Sequence, residues 1–233
     1  IRRDEPWDCS RLLEFEGVKD RIVFKLINTE KNRGFLRDTP HRSFLDLSVV
    51  FYVLLEVSSD GTAAMPVKTD HIKRWGVKEK LLWEAAVENV KRLLPAEFLT
   101  MRYALQECLS GTEISGDREN LLDAPETARD QMYVLSNRIR SYGAACIAYP
   151  HILEMIGSIL EDDFFVLPSS VHEVVIVPAS AGIPCSEMDA MVREINETQV
   201  AAEEVLGDSA YFYDRGSGTL QLDTCQRREA QIG

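Results

Sequence analysis

The sequence predicts an α+β fold, a mainly antiparallel sheet built from β-hairpins with helices packed on it. Three observations predict it. The β-branched and aromatic runs come mostly in pairs, each pair joined by a short polar or Gly-containing turn. Stretches with apolar residues at i, i+3, i+4 and i+7 lie between those pairs. Such tight connections suit antiparallel neighbours, whereas parallel strands would need a long crossover after each strand.

Residues 131–180 hold most of the strand-like runs. Residues 132–135 and 144–149 read as strand, turn and strand about NRIRSYG. Residues 151–160 then change period, with Ile152, Met155, Ile156 and Ile159 forming the stripe of a helix on a sheet. A second hairpin runs over 164–167 and 171–177, turning at Ser169 and Ser170. Val174 to Val177 is continuously apolar, which predicts a central strand buried on both faces.

Upstream, Phe15, Val18, Ile22 and Leu26 fall in one line and predict a helix over 15–32 that stops before Gly34. Residues 43–57 are rich in Val, Phe and Tyr and predict a long strand, with a helix over 44–56 as the alternative. SSDGT turns that strand into 63–67. A short helix capped by Thr69 or Asp70 runs to Trp75 and closes at Gly76, and a longer one over 79–94 ends at Pro95. Residues 97–109 are predicted helical. Downstream, Ser186 caps a helix with Met188, Met191, Val192 and Ile195 on its core face, and RGSG joins 210–214 to 219–222.

The length fits one large domain or two small ones, and one is preferred. On that reading residues 1–12 are a linker or the tail of an earlier segment, because the chain opens IRRDEP without a Met. Residues 13–223 form the domain, within which 111–130 is an exposed, mobile connection, and 224–233 is a frayed tail. No apolar run approaches the roughly 20 residues of a membrane span, and no signal peptide is visible.

A net charge of −12 argues against binding a phosphate backbone, although Arg138, Arg140 and the Lys91–Arg92 pair offer local positive charge. Five widely spaced cysteines without a CxxC exclude a zinc ribbon or thioredoxin-type motif, and reduced thiols in a cytoplasmic protein are the simplest reading.

One compact cluster joins a hydroxyl, an imidazole and a carboxylate: Ser170, His172 and Glu173. On a strand Ser170 and His172 share a face, but a triad also needs an orienting acid and an oxyanion hole, and there is no GxSxG elbow. The bland reading, a turn whose hydroxyls bond local backbone, is preferred. The four histidines are scattered without HExxH or HxH, so no metal and no cofactor is expected. The carboxylates at 161–163 and at Glu203 and Glu204 read as solvated charge. Asn137, Asn196 and Tyr213 sit inside patterned segments, where they line a binding groove or satisfy buried backbone groups; the latter is preferred.

The segments VKDRIVFKLINTEKN, PHRSFLDLSVVFYVLLE, MYVLSN, YGAACIAYP, FVLPSSVHEVVIVP and INETQVAAEEVLGDSAYFYDR together resemble an uncharacterised domain-of-unknown-function family of gut Clostridia (Lachnospiraceae). The helix 79–94 with its LLP end, GAACI and LPSSVHEVVIVP resemble the uncharacterised YtpQ-like proteins of Bacillus. The resemblance implies a cytoplasmic protein of a Gram-positive bacterium and brings no catalytic residue. The expectation is therefore a non-catalytic module acting by binding a protein. A hydrolase-like enzyme using Ser170 and His172 is the alternative, and a nucleic-acid accessory protein contacting through Arg138 and Arg140 the second.

Overall fold

The computed structural model describes residues 9–58, 61–110, 120–123 and 130–222. Contacts within the chain group into two compact units, Ile1–Pro95 and Ala96–Gly233. Each carries its own mainly antiparallel sheet and helices, the α+β layout expected.

In the first unit, after a 3-10 turn over Cys9–Leu13, come α1 (Phe15–Val18), β1 (Ile22–Asn28), α2 (Arg33–Leu36), β2 (His41–Phe44), β3 (Leu47–Ser58) and β4 (Gly61–Pro66), then α3 (Thr69–Trp75) and α4 (Glu79–Leu93). The long, apolar β3 is the axis. It pairs with β1 along one edge, and with β2 and then β4 along the other, so Val53 stands between Ile22 and Met65. A bulge between Leu54 and Glu56 interrupts the β3–β4 ladder, and Arg21 Nη1 donates to the Leu55 carbonyl there at 2.9 Å. Helix α4 lies against β1: Trp83 meets Phe24 at 5.2 Å between centroids, and Asn89 Nδ2 donates to the carbonyls of Lys19 and Ile22.

The helix expected over 15–32 is confined to its first turn. Ile22, Val23, Phe24, Leu26 and Ile27 are all buried, and residues 22–28 form β1. The 22/26 spacing fits either period, and β-branched residues in a run buried on both faces decide for the strand once β3 offers its edge. Gly76 ends α3 at φ 67°, the closing position expected after Trp75.

The second unit contains β5 (Ala96–Thr100), α5 (Met101–Ser110), β6 (Tyr133–Asn137), α6 (Ile152–Leu160), β7 (Phe164–Leu167), β8 (Val174–Pro178), α7 (Cys185–Thr198), β9 (Tyr211–Asp214) and β10 (Thr219–Leu222). The sheet order is β10-β9-β7-β8-β6-β5, antiparallel throughout. The apolar β8 lies between β6 and β7 as its composition demands, with Val174, Ile176 and Val177 fully buried. Met188 and Val192 of α7 pack on Phe165, Leu167, Val177 and Ala210.

Three expectations change here. Residues 144–149 are not a strand: Gly143–Ala148 is a buried 3-10 turn. The first part of 97–109 is β5, and the helix begins only at Met101. Pro184, not Ser186, stands at the N-cap of α7, and Asp189 Oδ1 of that helix accepts the Ala210 N–H at 2.9 Å.

Of the connection 111–130, residues 111–119 and 124–129 lie outside the described residues, as do 1–8 and the tail 223–233. The described part of that connection is anchored. Leu121 is buried and donates its N–H to Phe98 O, while Asn120 Oδ1 takes the Phe98 N–H and its Nδ2 reaches Ala96 O. Asn120 thereby stands in for a neighbouring strand along the outer edge of β5. Among the described residues no helix is long and apolar enough to cross a membrane.

All three tryptophans, Trp7, Trp75 and Trp83, belong to the first unit, so tryptophan fluorescence reports that unit and far-ultraviolet circular dichroism reports both. The single-domain expectation predicts coincident urea transitions by the two probes. Transitions that separate would show two independently unfolding domains.

Candidate functional site

Asn137 ends β6 fully buried. Its Nδ2 donates to Ser141 O at 2.7 Å, its Oδ1 accepts the Ser141 N–H, and its own carbonyl accepts the Arg140 N–H. One side chain thus closes the turn 137–141 and holds Arg140 and Tyr142 at φ 52° and 57°, a region that non-glycine residues seldom occupy. Gly143 follows at a point of close approach. A Cβ there would lie 2.5 Å from His172 O and 2.6 Å from the Asn137 nitrogen, and would press on Ser136 Oγ. The missing side chain lets the 3-10 turn of 143–148 seat against the end of β6.

Facing it, residues 168–171 run antiparallel to 204–207. Val171 N–H donates to Glu204 O, Leu206 N–H to Ser169 O and Gly207 N–H to Pro168 O, at 2.8–3.0 Å, around a Ser170–Val205 bridge. His172 sits at the junction of the two segments. The Tyr142 N–H donates to its Nδ1 at 3.3 Å, which assigns the ring proton to Nε2; that proton goes to Glu204 Oε1 at 3.1 Å. The Tyr142 ring stacks on the imidazole at 5.8 Å, and Ser136 Oγ donates to His172 O at 2.8 Å. The His172 and Glu204 side chains are 34% and 44% exposed, so solvent screening limits their pairing to about 1 kcal/mol or less. The backbone bonds around them carry more.

The sequence-derived trio is therefore dispersed. Ser170 Oγ accepts the His172 backbone N–H at 3.0 Å and makes no bond to the ring. Both ring nitrogens are committed elsewhere. Glu173 lies 3.7 Å from Arg140 Nη1, and Arg140 Nη2 donates to Glu107 Oε2 of α5 at 2.8 Å. The carboxylate at the imidazole is Glu204, 32 residues away in sequence, and no local motif could have paired the two.

A sequence profile for a family of unknown function, DUF5688, matches residues 1–215. The chain belongs to that family. No curated protein and no solved structure gives a significant match, so in this DUF5688 chain the site rests on geometry alone.

The remaining candidates serve separate places in the DUF5688 chain. Asn196 on α7 donates Nδ2 to Gly207 O and Asp208 Oδ1, tethering the helix to the segment that pairs with 168–171; its buried Oδ1 has no hydrogen-bond partner among the described residues. Tyr213 on β9 stacks on Phe164 at 4.7 Å, and burial, aided by Glu154 and Asp214, raises its hydroxyl above the usual tyrosine range. Two of the other histidines close local backbone, His41 Nδ1 lying 2.8 Å from Thr39 O and His71 Nδ1 accepting the Lys68 N–H, while His151 Nδ1 pairs with Glu154 Oε2 at 2.9 Å on the surface. Among the described residues no group of three or more His, Cys, Asp and Glu is placed to hold a metal.

Of the thiols, Cys146 is fully buried and donates to Ser136 O; burial pushes it far above the ordinary thiol range, so it supplies no thiolate. Cys108 is free and exposed. Cys185 is disulfide-bonded, a departure from the reduced thiols expected.

Replacing Gly143 by Ala should lower stability by about 2–3 kcal/mol, because backbone rather than a movable side chain blocks the new methyl. Urea denaturation measures it, and an unchanged midpoint would contradict the close approach.

Proposed function

We propose that this protein is a non-catalytic module that acts in the cytoplasm of a Gram-positive bacterium of the gut Clostridia by binding another protein. The observation that carries the reading is the commitment of the polar cluster. Nδ1 and Nε2 of His172 face a backbone N–H and Glu204, Ser170 Oγ faces backbone, and Arg140 faces two carboxylates. General base catalysis needs an unpaired imidazole nitrogen beside the hydroxyl it activates, and phosphate binding needs arginines that are not already neutralised. The segment likenesses to Lachnospiraceae and YtpQ-like proteins are the basis for the cellular setting.

One observation favours the hydrolase-like alternative: the imidazole–carboxylate pair of His172 and Glu204 has the form of an oriented base. In that reading Glu204, not Glu173, orients the ring, and Nδ1 becomes the base once the Tyr142 N–H releases it.

The two readings part in one comparison. Wild type and Ser170→Ala are assayed against p-nitrophenyl esters, and wild type is chemically cross-linked in lysate of a Lachnospiraceae strain. Each cross-linked protein is then purified and titrated against the chain. Binding reads as a saturable interaction with a reconstituted partner and equal, background ester turnover by both chains. Ester turnover lost in Ser170→Ala, with no partner surviving reconstitution, would overturn it in favour of the enzyme.

A further inference from the structure

Helix α5 is amphipathic in the inverted sense. Leu105 and Leu109, four residues apart and therefore on one face, are 55% and 88% exposed. Cys108 is exposed on the same arc, and Met101 is half-buried at its start. The carboxylate of Glu107 is turned the other way, 17% exposed and ion-paired to Arg140 Nη2 at 2.8 Å. Thr100 Oγ1 and Asp130 Oδ2 accept the N–H groups of Tyr103 and Arg102, fixing the first turn in this rotation. Surface helices ordinarily put leucine inward and charge in water. Here the inward contacts include an ion pair, and the leucines forfeit the burial that stabilises them elsewhere.

Charge distribution says what would cover them. The unit bearing α5, residues 96–233, holds 9 Arg, no Lys, and 23 Asp and Glu, a net −14. Residues 1–95 hold 17 Lys and Arg against 15 Asp and Glu, a net +2. All of the chain's excess negative charge thus lies in the unit that presents the apolar stripe. Such a field draws in a cationic partner and repels a second copy of the same unit.

We infer that the Leu105–Leu109 face of α5 is a docking face for a basic amphipathic segment of a partner protein. Apolar side chains of that segment cover the two leucines, and its Lys and Arg residues answer the net negative charge of the unit as a whole. The inference rests on the protein-binding reading and gives it a place and a partner chemistry.

The test uses the full chain and three fluorescein-labelled amphipathic peptides of roughly 18 residues, about five helical turns: a Lys/Leu peptide, its Glu/Leu counterpart, and a Lys/Ser peptide lacking the apolar face. Fluorescence anisotropy should show binding of the Lys/Leu peptide alone. The double substitution Leu105→Ser with Leu109→Ser should weaken it by about tenfold or more, since both side chains leave the contact. Met155→Ser, at another exposed apolar position of the same unit (39%), should leave binding unchanged. Both variants alter exposed side chains, and circular dichroism checks that they fold.

Lys/Leu binding that survives the double substitution, or falls equally in Met155→Ser, overturns the α5 face while leaving a protein-binding module intact. Equal binding of the Glu/Leu or the Lys/Ser peptide overturns the partner chemistry. A concentration-dependent dimer in light scattering that the double variant abolishes makes a second copy the occupant and overturns it too. If no peptide binds, the docking face fails, and the cross-linking experiment separately decides whether the protein-binding reading fails with it.

Discussion

The missing side chain at Gly143 lets the backbone of the 143–148 turn meet Asn137 and His172 at a separation that any Cβ would forbid, and the surroundings of His172 depend on that meeting. With 143 in place, Ala144 N–H reaches Val171 O and Tyr142 N–H reaches the His172 ring. The loop entering β8 is held from this side, and from the other by the 204–207 segment through Val171 N–H and the Ser169 and Pro168 carbonyls. The imidazole–carboxylate pair adds a side-chain rung to a ladder made mostly of peptide groups. Those peptide groups would be costly to leave unpaired away from water.

Where one period dominated, the sequence was legible. The continuous run at Val174–Val177 became the buried β8, the Val- and Phe-rich 43–57 became β3 with the ends of its neighbours, and α4, α6 and α7 form where expected, although Met155 of the α6 stripe is exposed. Misreadings fell where composition supported two answers. Ile22 and Leu26 fit a helical line, yet β1 forms because β3 has an open edge to pair with it. Ala144 to Ile147 are apolar enough for a strand, yet Gly143 places them beside β6 as a 3-10 turn that no periodicity announces. Glu97 to Thr100 continue a helical pattern, but Phe98 and Leu99 are claimed by the ladder to β6.

Legibility of the site was lower for a related reason. Ser170, His172 and Glu173 are adjacent in sequence and point to different partners in space, whereas Glu204 is distant in sequence and adjacent in space. Asn137 was readable as a residue that satisfies backbone, since a short amide at a strand end ordinarily does so. The inverted rotation of α5 was hidden because two of the contacts that accompany it, Asp130 to the Arg102 N–H and Glu107 to Arg140, join residues 28 and 33 apart, and such pairs leave no local pattern.

The account turns on His172 being committed to holding backbone rather than to chemistry, and amide hydrogen exchange of wild type and His172→Ala addresses that directly. Loss of the ring should speed exchange at Tyr142 by about tenfold or more, the equivalent of one net hydrogen bond. Val171 and Leu206 should follow, while the β7–β8 ladder keeps its protection. Unchanged protection at Tyr142 in His172→Ala would contradict the account and leave the imidazole available for another role.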